Sequence, residues 1–239
     1  MIPELKKVID SHPDSGYLRY HLPRYESLFK TIMQYHISSQ SILDIGKSAF
    51  ASALKLKYEC IDTLGLQDDM ISRAGTHYKF DLNNTIDKLL WRSDIPKYDI
   101  IIFAEVIEHL YISPNYILKF LHSILNKDGF LFLQTPNAVA LHKRIKMLFG
   151  INPYELIREN VNNPGHYREY TKKELINYLE KNGFSIESCT FNNYFDYRYS
   201  NHRDFRKAFE KTKGNLVNHI YSVVPKSLKP GIFIVAKRI

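Results

Sequence analysis

From residue 41 onward, short apolar runs alternate with segments of helix length, the arrangement a parallel sheet with crossover helices requires. The first four runs are Ser41 to Ile45, Tyr58 to Ile61, His77 to Phe80 and Asp99 to Phe103, the last with an apolar centre suited to burial on both faces. Ser113-Pro114 then supplies an N-cap and a proline at the first helical position, and Ile117, Leu121 and Ile124 give that helix an apolar stripe. The helix stops near Asn126 to Gly129, Phe130 to Gln134 resumes the strand pattern, and Pro136 interrupts it. Thr171 and Glu174 have the spacing of a capping box, with Gly183 as the stop of that helix. Phe184 to Phe191 and Gly231 to Ala236 complete a set of seven strands. Residues 1–40 read as a helical cap, with a helix around Tyr25 to Tyr35, whereas 137–170 and 192–229 break the alternation and read as insertions.

With 239 residues, 44% apolar and 24% charged, the chain suits a single α/β domain over 1–239. No apolar run approaches the roughly 20 residues of a membrane helix. The opening MIPELKKVIDSHPD carries charges where a secretory signal would be apolar, so a cytoplasmic location is expected. Cys60 and Cys189 read as buried free thiols. Lysine plus arginine exceed aspartate plus glutamate by 33 − 25 = 8, a balance that favours an anionic substrate or surface. The basic residues are scattered, however, and no nucleic-acid module is visible, so solvated faces are expected rather than nucleic-acid binding. No metal is expected, because Gln67-Asp68-Asp69 and the dispersed histidines lack a ligand spacing. The sequence leaves the oligomeric state open.

The chemistry starts at SILDIGKSAF, where a strand ends in Asp44-Ile45-Gly46 and a small-residue loop leads into a helix. A glycine at a strand end lets backbone approach a ligand closely, although a simple strand-to-helix turn would select it as well. Eighteen residues after Asp44, Asp62 is expected to end the second strand, where an acid can accept hydrogen bonds from two ribose hydroxyls. Asp81, in FDLNN, is expected to end the third. Taken singly each acid reads as a turn or cap residue; together with Gly46 they would meet one ligand across three strand ends.

SILDIGKSAF resembles the first motif of class I S-adenosylmethionine-dependent methyltransferases, with Ser48 and Phe50 standing where that family's glycine-rich turn has two more glycines. YDIIIFAEVIEHL, LNKDGFLFLQTPN and GHYREYTKKELINYLEKNGF resemble the same family in order, over about residues 40 to 192. The resemblance implies a Rossmann-like seven-stranded sheet in the order 3-2-1-4-5-7-6, strand 7 antiparallel, with helices on both faces. It implies S-adenosyl-L-methionine as cofactor and S-adenosyl-L-homocysteine as product, held by Asp44, Gly46, Lys47 and Ser48 at the first loop. Asp62 and Thr63 would serve the ribose, Asp81 and Leu82 the adenine, and Ala104 and Glu105 the methionine portion.

A hydroxyl or amine acceptor must lose a proton, for which histidine is the natural base. His109, about a helical turn past strand four, would by resemblance sit near the transferred methyl; His166, in a segment expected to overhang the pocket, is the second candidate. A structural role stays open for both. Glu108 is expected to face solvent or cap local structure. Lys143, Arg144, Arg158 and Arg168 could grip a phosphate or carboxylate, or simply solvate the insertion. Tyr194, Tyr197 and Tyr199 could stack on a sugar or base, or pack a core. The expected reaction is O-methylation of a small polar acceptor such as a sugar, nucleotide-linked or phosphorylated precursor of a surface glycan. Alternatives are an N- or nucleic-acid methyltransferase and a non-catalytic S-adenosylmethionine-binding protein.

Overall fold

The computed structural model describes residues 1–35, 41–46, 49–66, 75–160, 165–200 and 208–239. The central strands of the sheet are apolar on both pleat faces, so both faces must be covered. Leu43, Ile45, Ile101, Phe103, Leu131 and Leu133 point to one side, and Ile42, Ile100, Ile102, Phe132, Phe233 and Val235 to the other. The strands are β1 (Ile42–Ile45), β2 (Ile61–Gly65), β3 (His77–Lys79), β4 (Tyr98–Ala104), β5 (Leu125–Pro136), β6 (Phe184–Asn192) and β7 (Gly231–Arg238). They form one sheet in the order β3-β2-β1-β4-β5-β7-β6. β7 pairs antiparallel with both β5 and β6, and the other pairings are parallel, as the family resemblance implies.

Helices α1 (Pro3–Asp10), α2 (Gly16–Tyr35) and α3 (Ala49–Lys55) cover one face through Leu5, Ile9, Leu28, Phe29, Ile32 and Leu54. On the other face lie α4 (Pro114–Ser123) and α6 (Lys172–Lys181), which contribute Ile117, Leu121, Leu175 and Leu179. α5 (Leu141–Leu148) follows β5, and α7 (Ala208–Val223) precedes β7. The start signals read in the sequence are used. Ser113 Oγ accepts from the Asn115 amide, and Thr171 and Glu174 exchange both bonds of a capping box. Gly183 follows α6 at φ +82°.

Three expectations need correction. The N-terminal helix is longer than Tyr25 to Tyr35, running through Pro23 from Gly16, because Leu18, Tyr25 and Phe29 extend its buried stripe. Cys60 is exposed and Cys189 half-buried, both free, since Cys60 precedes β2 instead of lying within a strand. β2 itself spans Ile61–Gly65, not Tyr58 to Ile61: Tyr58 closes the turn after α3 by donating its amide to Leu54 O, and the buried residues of the strand are Ile61, Thr63 and Leu64. Among the described residues no helix is long and apolar enough to cross a membrane.

Phe132 is wholly buried, edge-on to Tyr35 and Phe233. Phe132→Ala therefore costs about 3–5 kcal/mol in denaturant unfolding through the cavity it leaves, whereas Thr171→Ala, which removes only a cap, costs about 1 kcal/mol.

Candidate functional site

β1 and β4 are hydrogen-bonded neighbours, yet the chain leaves them toward opposite faces, into α3 on one side and α4 on the other. Diverging crossovers leave a crevice beyond the carboxyl ends of the strands. Two cavities occupy it, of about 570 and 700 Å³, and Ile45, Gly46, Val106 and His109 line both. At the junction Gly46 has φ +103° and donates its amide to Leu64 O at 2.9 Å, a backbone conformation that disfavours any side chain. Lys47 and Ser48 lie outside the described residues.

The smaller cavity is bounded by Thr63, Leu64, Gly65 and Leu66 leaving β2, by Phe80, Asp81 and Leu82 after β3, and by Leu110. Asp81 caps a short 3-10 turn, accepting from the Asn83 amide and side chain at 2.9 and 3.0 Å. Thr63 is buried, its hydroxyl 2.8 Å from His77 Nδ1. Asp62 is not brought here. It is the second residue of β2 rather than its last, and its carboxylate accepts from the Thr76 amide at 2.6 Å and from the Tyr98 hydroxyl at 2.7 Å. Tyr98 opens β4, so this carboxylate serves the amino end of the sheet, opposite the crevice. The shifted strand boundary is the physical reason.

The larger cavity gathers Asp44, Ala104 and Glu105 with α2, α5 and the segment before α6. Glu105 leaves β4 at φ +57°, rare for a residue with a side chain, with its amide bound to Gln134 O at 2.8 Å. Arg24 Nη1 faces Glu105 Oε2 at 3.9 Å, both largely buried. Burial pushes the Glu105 carboxyl up while Arg24 and Lys143 oppose it. Burial alone would lower Arg24, but Glu105 and Tyr25 outweigh it and hold the guanidinium charged, with Nε lacking a hydrogen-bond partner among the described residues.

Glu108 neither faces solvent nor caps a helix. It is fully buried, because the turn after β4 packs beneath β5, where Thr135 Oγ1 donates to Glu108 Oε2 at 3.0 Å. Burial, then the neighbouring Glu105, raises its carboxyl well above the ordinary range, and Oε1 lacks a hydrogen-bond partner among the described residues. Its carbonyl takes the Tyr167 amide at 2.8 Å, tying down the segment that carries His166. His109 and His166 pack edge-on with ring centroids 4.7 Å apart. His109 Nδ1 lies 2.8 Å from Gly165 O, and His166 Nδ1 3.2 Å from Glu169 Oε1. Burial first, then His109, lowers His166 to about 4, leaving it neutral at physiological pH. The structure thus brings together both sequence-predicted histidines, 57 residues apart in the chain, and adds Glu108 to them.

Lys143 is buried, ion-paired with Glu169, donates to Asn137 O at 3.2 Å and is lowered to about 8 by burial. Arg158 lines the same cavity beside Glu155. Arg144 and Arg168 are exposed, bound to Val139 O and to Glu174. Of the tyrosines, Tyr194 packs the core, Tyr197 lines the cavity stacked on Tyr221, and Tyr199 lies beside Arg19 and Arg198. Arg24 was not among the sequence-predicted site residues. Its signal was a cation one turn before Leu28, on the buried stripe of α2.

A family profile described as a methyltransferase domain matches residues 17–188. A search of curated proteins returns no match. Among solved structures, an S-adenosylmethionine-dependent methyltransferase from Archaeoglobus fulgidus is similar over 89% of this chain and 92% of its own, with TM-score 0.55 and 15% identity. A second, from Clostridium acetobutylicum, covers 91% and 92%, with TM-score 0.57 and 12% identity. The magnesium protoporphyrin IX methyltransferase of Synechocystis, solved with bound S-adenosylhomocysteine, covers 91% and 84%, with TM-score 0.54 and 12% identity. These likenesses establish the fold, and the profile spans most of the crevice. The chain belongs to the S-adenosylmethionine-dependent methyltransferase domain family.

Proposed function

We propose that the protein methylates a hydroxyl of a small, polar, anionic acceptor, such as a sugar, nucleotide-linked or phosphorylated precursor of a surface glycan. The observation that carries this reading is the adjoining pair of cavities, which share Ile45, Gly46, Val106 and His109 and present the packed rings of His109 and His166 to the larger one.

The smaller cavity suits the adenosine end of the cofactor. Its walls are largely apolar, with the polar edge of Asp81 and the close backbone of Gly65 as directional groups. In this reading Thr63, Asp81 and Leu82 border the adenosine, while Asp44, Gly46, Ala104 and Glu105 border the methionine portion. Arg24, buried on the larger cavity with an Nε that has no hydrogen-bond partner among the described residues, is the natural partner for the carboxylate at that end. Bound S-adenosylmethionine supplies an electrophilic methyl carbon on a sulfonium. The protein must align the acceptor with it, exclude water and take one proton. His109 and His166 are placed for the proton, since each Nδ1 is engaged by an oxygen acceptor and each Nε2 therefore carries the lone pair in the neutral ring. Lys143 and Arg158 favour negative charge on the acceptor, and Tyr197 with Phe195 offers it aromatic surface.

Calorimetric titration with S-adenosylhomocysteine tests the cofactor half. Binding should be stoichiometric, and Gly46→Ala should weaken it about tenfold, because a β-carbon at positive φ costs about 1–2 kcal/mol. Incubation with methyl-labelled cofactor and fractionated extract should label a small anionic compound; normal cofactor binding with no labelled product in any fraction would refute catalysis. His109→Ala and His166→Ala should each lower kcat about 10²-fold or more with cofactor affinity retained. Because Lys143 is charged below about pH 8 and neutral above it, KM for an anionic acceptor should rise as pH climbs through 8. Lys143→Arg, which stays protonated, should flatten that rise.

A further inference from the structure

The geometry points to a divalent transition-metal site built by Glu108, His109 and His166. This inference rests on the reading that the larger cavity holds the acceptor. Each of the three residues offers one donor atom, and those atoms lie within 4.8 Å of one another, the only such trio among the described residues. Glu108 Oε1 is the decisive member. It belongs to a side chain with no exposed surface and has no hydrogen-bond partner among the described residues, while Oε2 is anchored by Thr135. A buried carboxyl oxygen left bare is costly unless a proton or a cation satisfies it, and two imidazoles beside it favour the cation. Across from it, at 4.0 Å, stands His109 Nε2.

Both imidazoles are prepared as ligands. Gly165 O can only accept, so His109 Nδ1 carries the hydrogen and Nε2 the lone pair. Glu169 accepts from His166 Nδ1 in the same way while its other oxygen pairs with Lys143. A ligand histidine whose second nitrogen donates to a carbonyl or carboxylate is the usual outer arrangement of metal sites. Bonds of about 2.1 Å would set neighbouring donor atoms about 3–3.5 Å apart, so the three side chains need close by at most about 1.3–1.8 Å. Two imidazoles and one carboxylate suit zinc, cobalt, manganese or iron better than magnesium or calcium, which prefer all-oxygen surroundings. His109 and His166 line the larger cavity, so the remaining coordination positions open toward the acceptor. There a cation would acidify the acceptor hydroxyl and so replace His109 and His166 as the means of removing its proton, which passes to solvent at the cavity mouth.

Cobalt(II) titration of chelator-stripped protein, followed by visible absorption, tests the site with neither methyl donor nor acceptor present. One equivalent should bind with ligand-field bands. Glu108→Gln, His109→Ala and His166→Ala should each weaken binding at least tenfold, while His219→Ala, exposed on α7, should not. Glu169→Gln should weaken it about tenfold through His166. Titration with S-adenosylhomocysteine on each variant verifies the fold and reads the cofactor half separately. Substoichiometric cobalt binding, or unchanged affinity in all three ligand variants with cofactor binding intact, would overturn the site without touching the proposed transfer.

Discussion

The reversal of strand order between the parallel neighbours β1 and β4 is the constraint on which the rest of the molecule depends. Strands that neighbour each other in the sheet but send their crossovers to opposite faces cannot close the space above their carboxyl ends. Gly46 and Glu105, the residues that follow these two strands, both take positive φ. For Gly46 this conformation is cheap; for Glu105 it is a strained turn held by the bond to Gln134 O. The chain accepts that strain where it swings a carboxylate toward Arg24 at the head of the crevice.

Burying Glu105, Glu108 and Glu169 around one cavity would be prohibitive without compensation. Arg24 and Lys143 supply it from different elements, α2 and α5, so the electrostatics of the site tie the N-terminal cap and the segment after β5 to the strand ends. Glu108 is matched least well. Among the described residues its Oε1 accepts no hydrogen bond, and His109 Nε2 stands 4.0 Å from it, which makes it the least compensated carboxyl in the crevice.

The sheet was legible because strand-sized apolar runs, helix caps and turn glycines agreed with one another: Ser113, Thr171 and Gly183 mark helix boundaries as their chemistry requires. β2 was misjudged because Asp62-Thr63 reads as a polar strand end, whereas in the fold Thr63 is buried between neighbouring strands and Asp62 bonds to Tyr98. That error moved the expected ribose acid to the wrong end of the sheet. Asp81 was marked by an expected strand end, Glu105 and His109 by the family resemblance and His166 by its place in an insertion, and all four line the crevice. The trio of Glu108, His109 and His166 was hidden because its members meet only after the chain has completed β5, α5 and a long connection. Arg24 was overlooked, although it lies one turn before Leu28 on the buried stripe of α2, because a lone cation on a helix ordinarily faces solvent.

The excursion from residue 137 to 170 leaves and rejoins the sheet at a single neck. Asn137 pairs with Tyr170, the Ala138 amide donates to Tyr170 O, and the Asn137 side chain grips Ser227 O and Lys229 O. A stretch cinched at its base behaves like a cassette: its outer part can lengthen, shorten or change composition without disturbing the strands beneath. Lys143 and His166 sit close to that knot, so, on the proposed reading of the larger cavity, diversification of the arch would alter which molecule is admitted while the strands beneath keep their register. Selection could thus retool this enzyme for new recipients by editing one bow of chain.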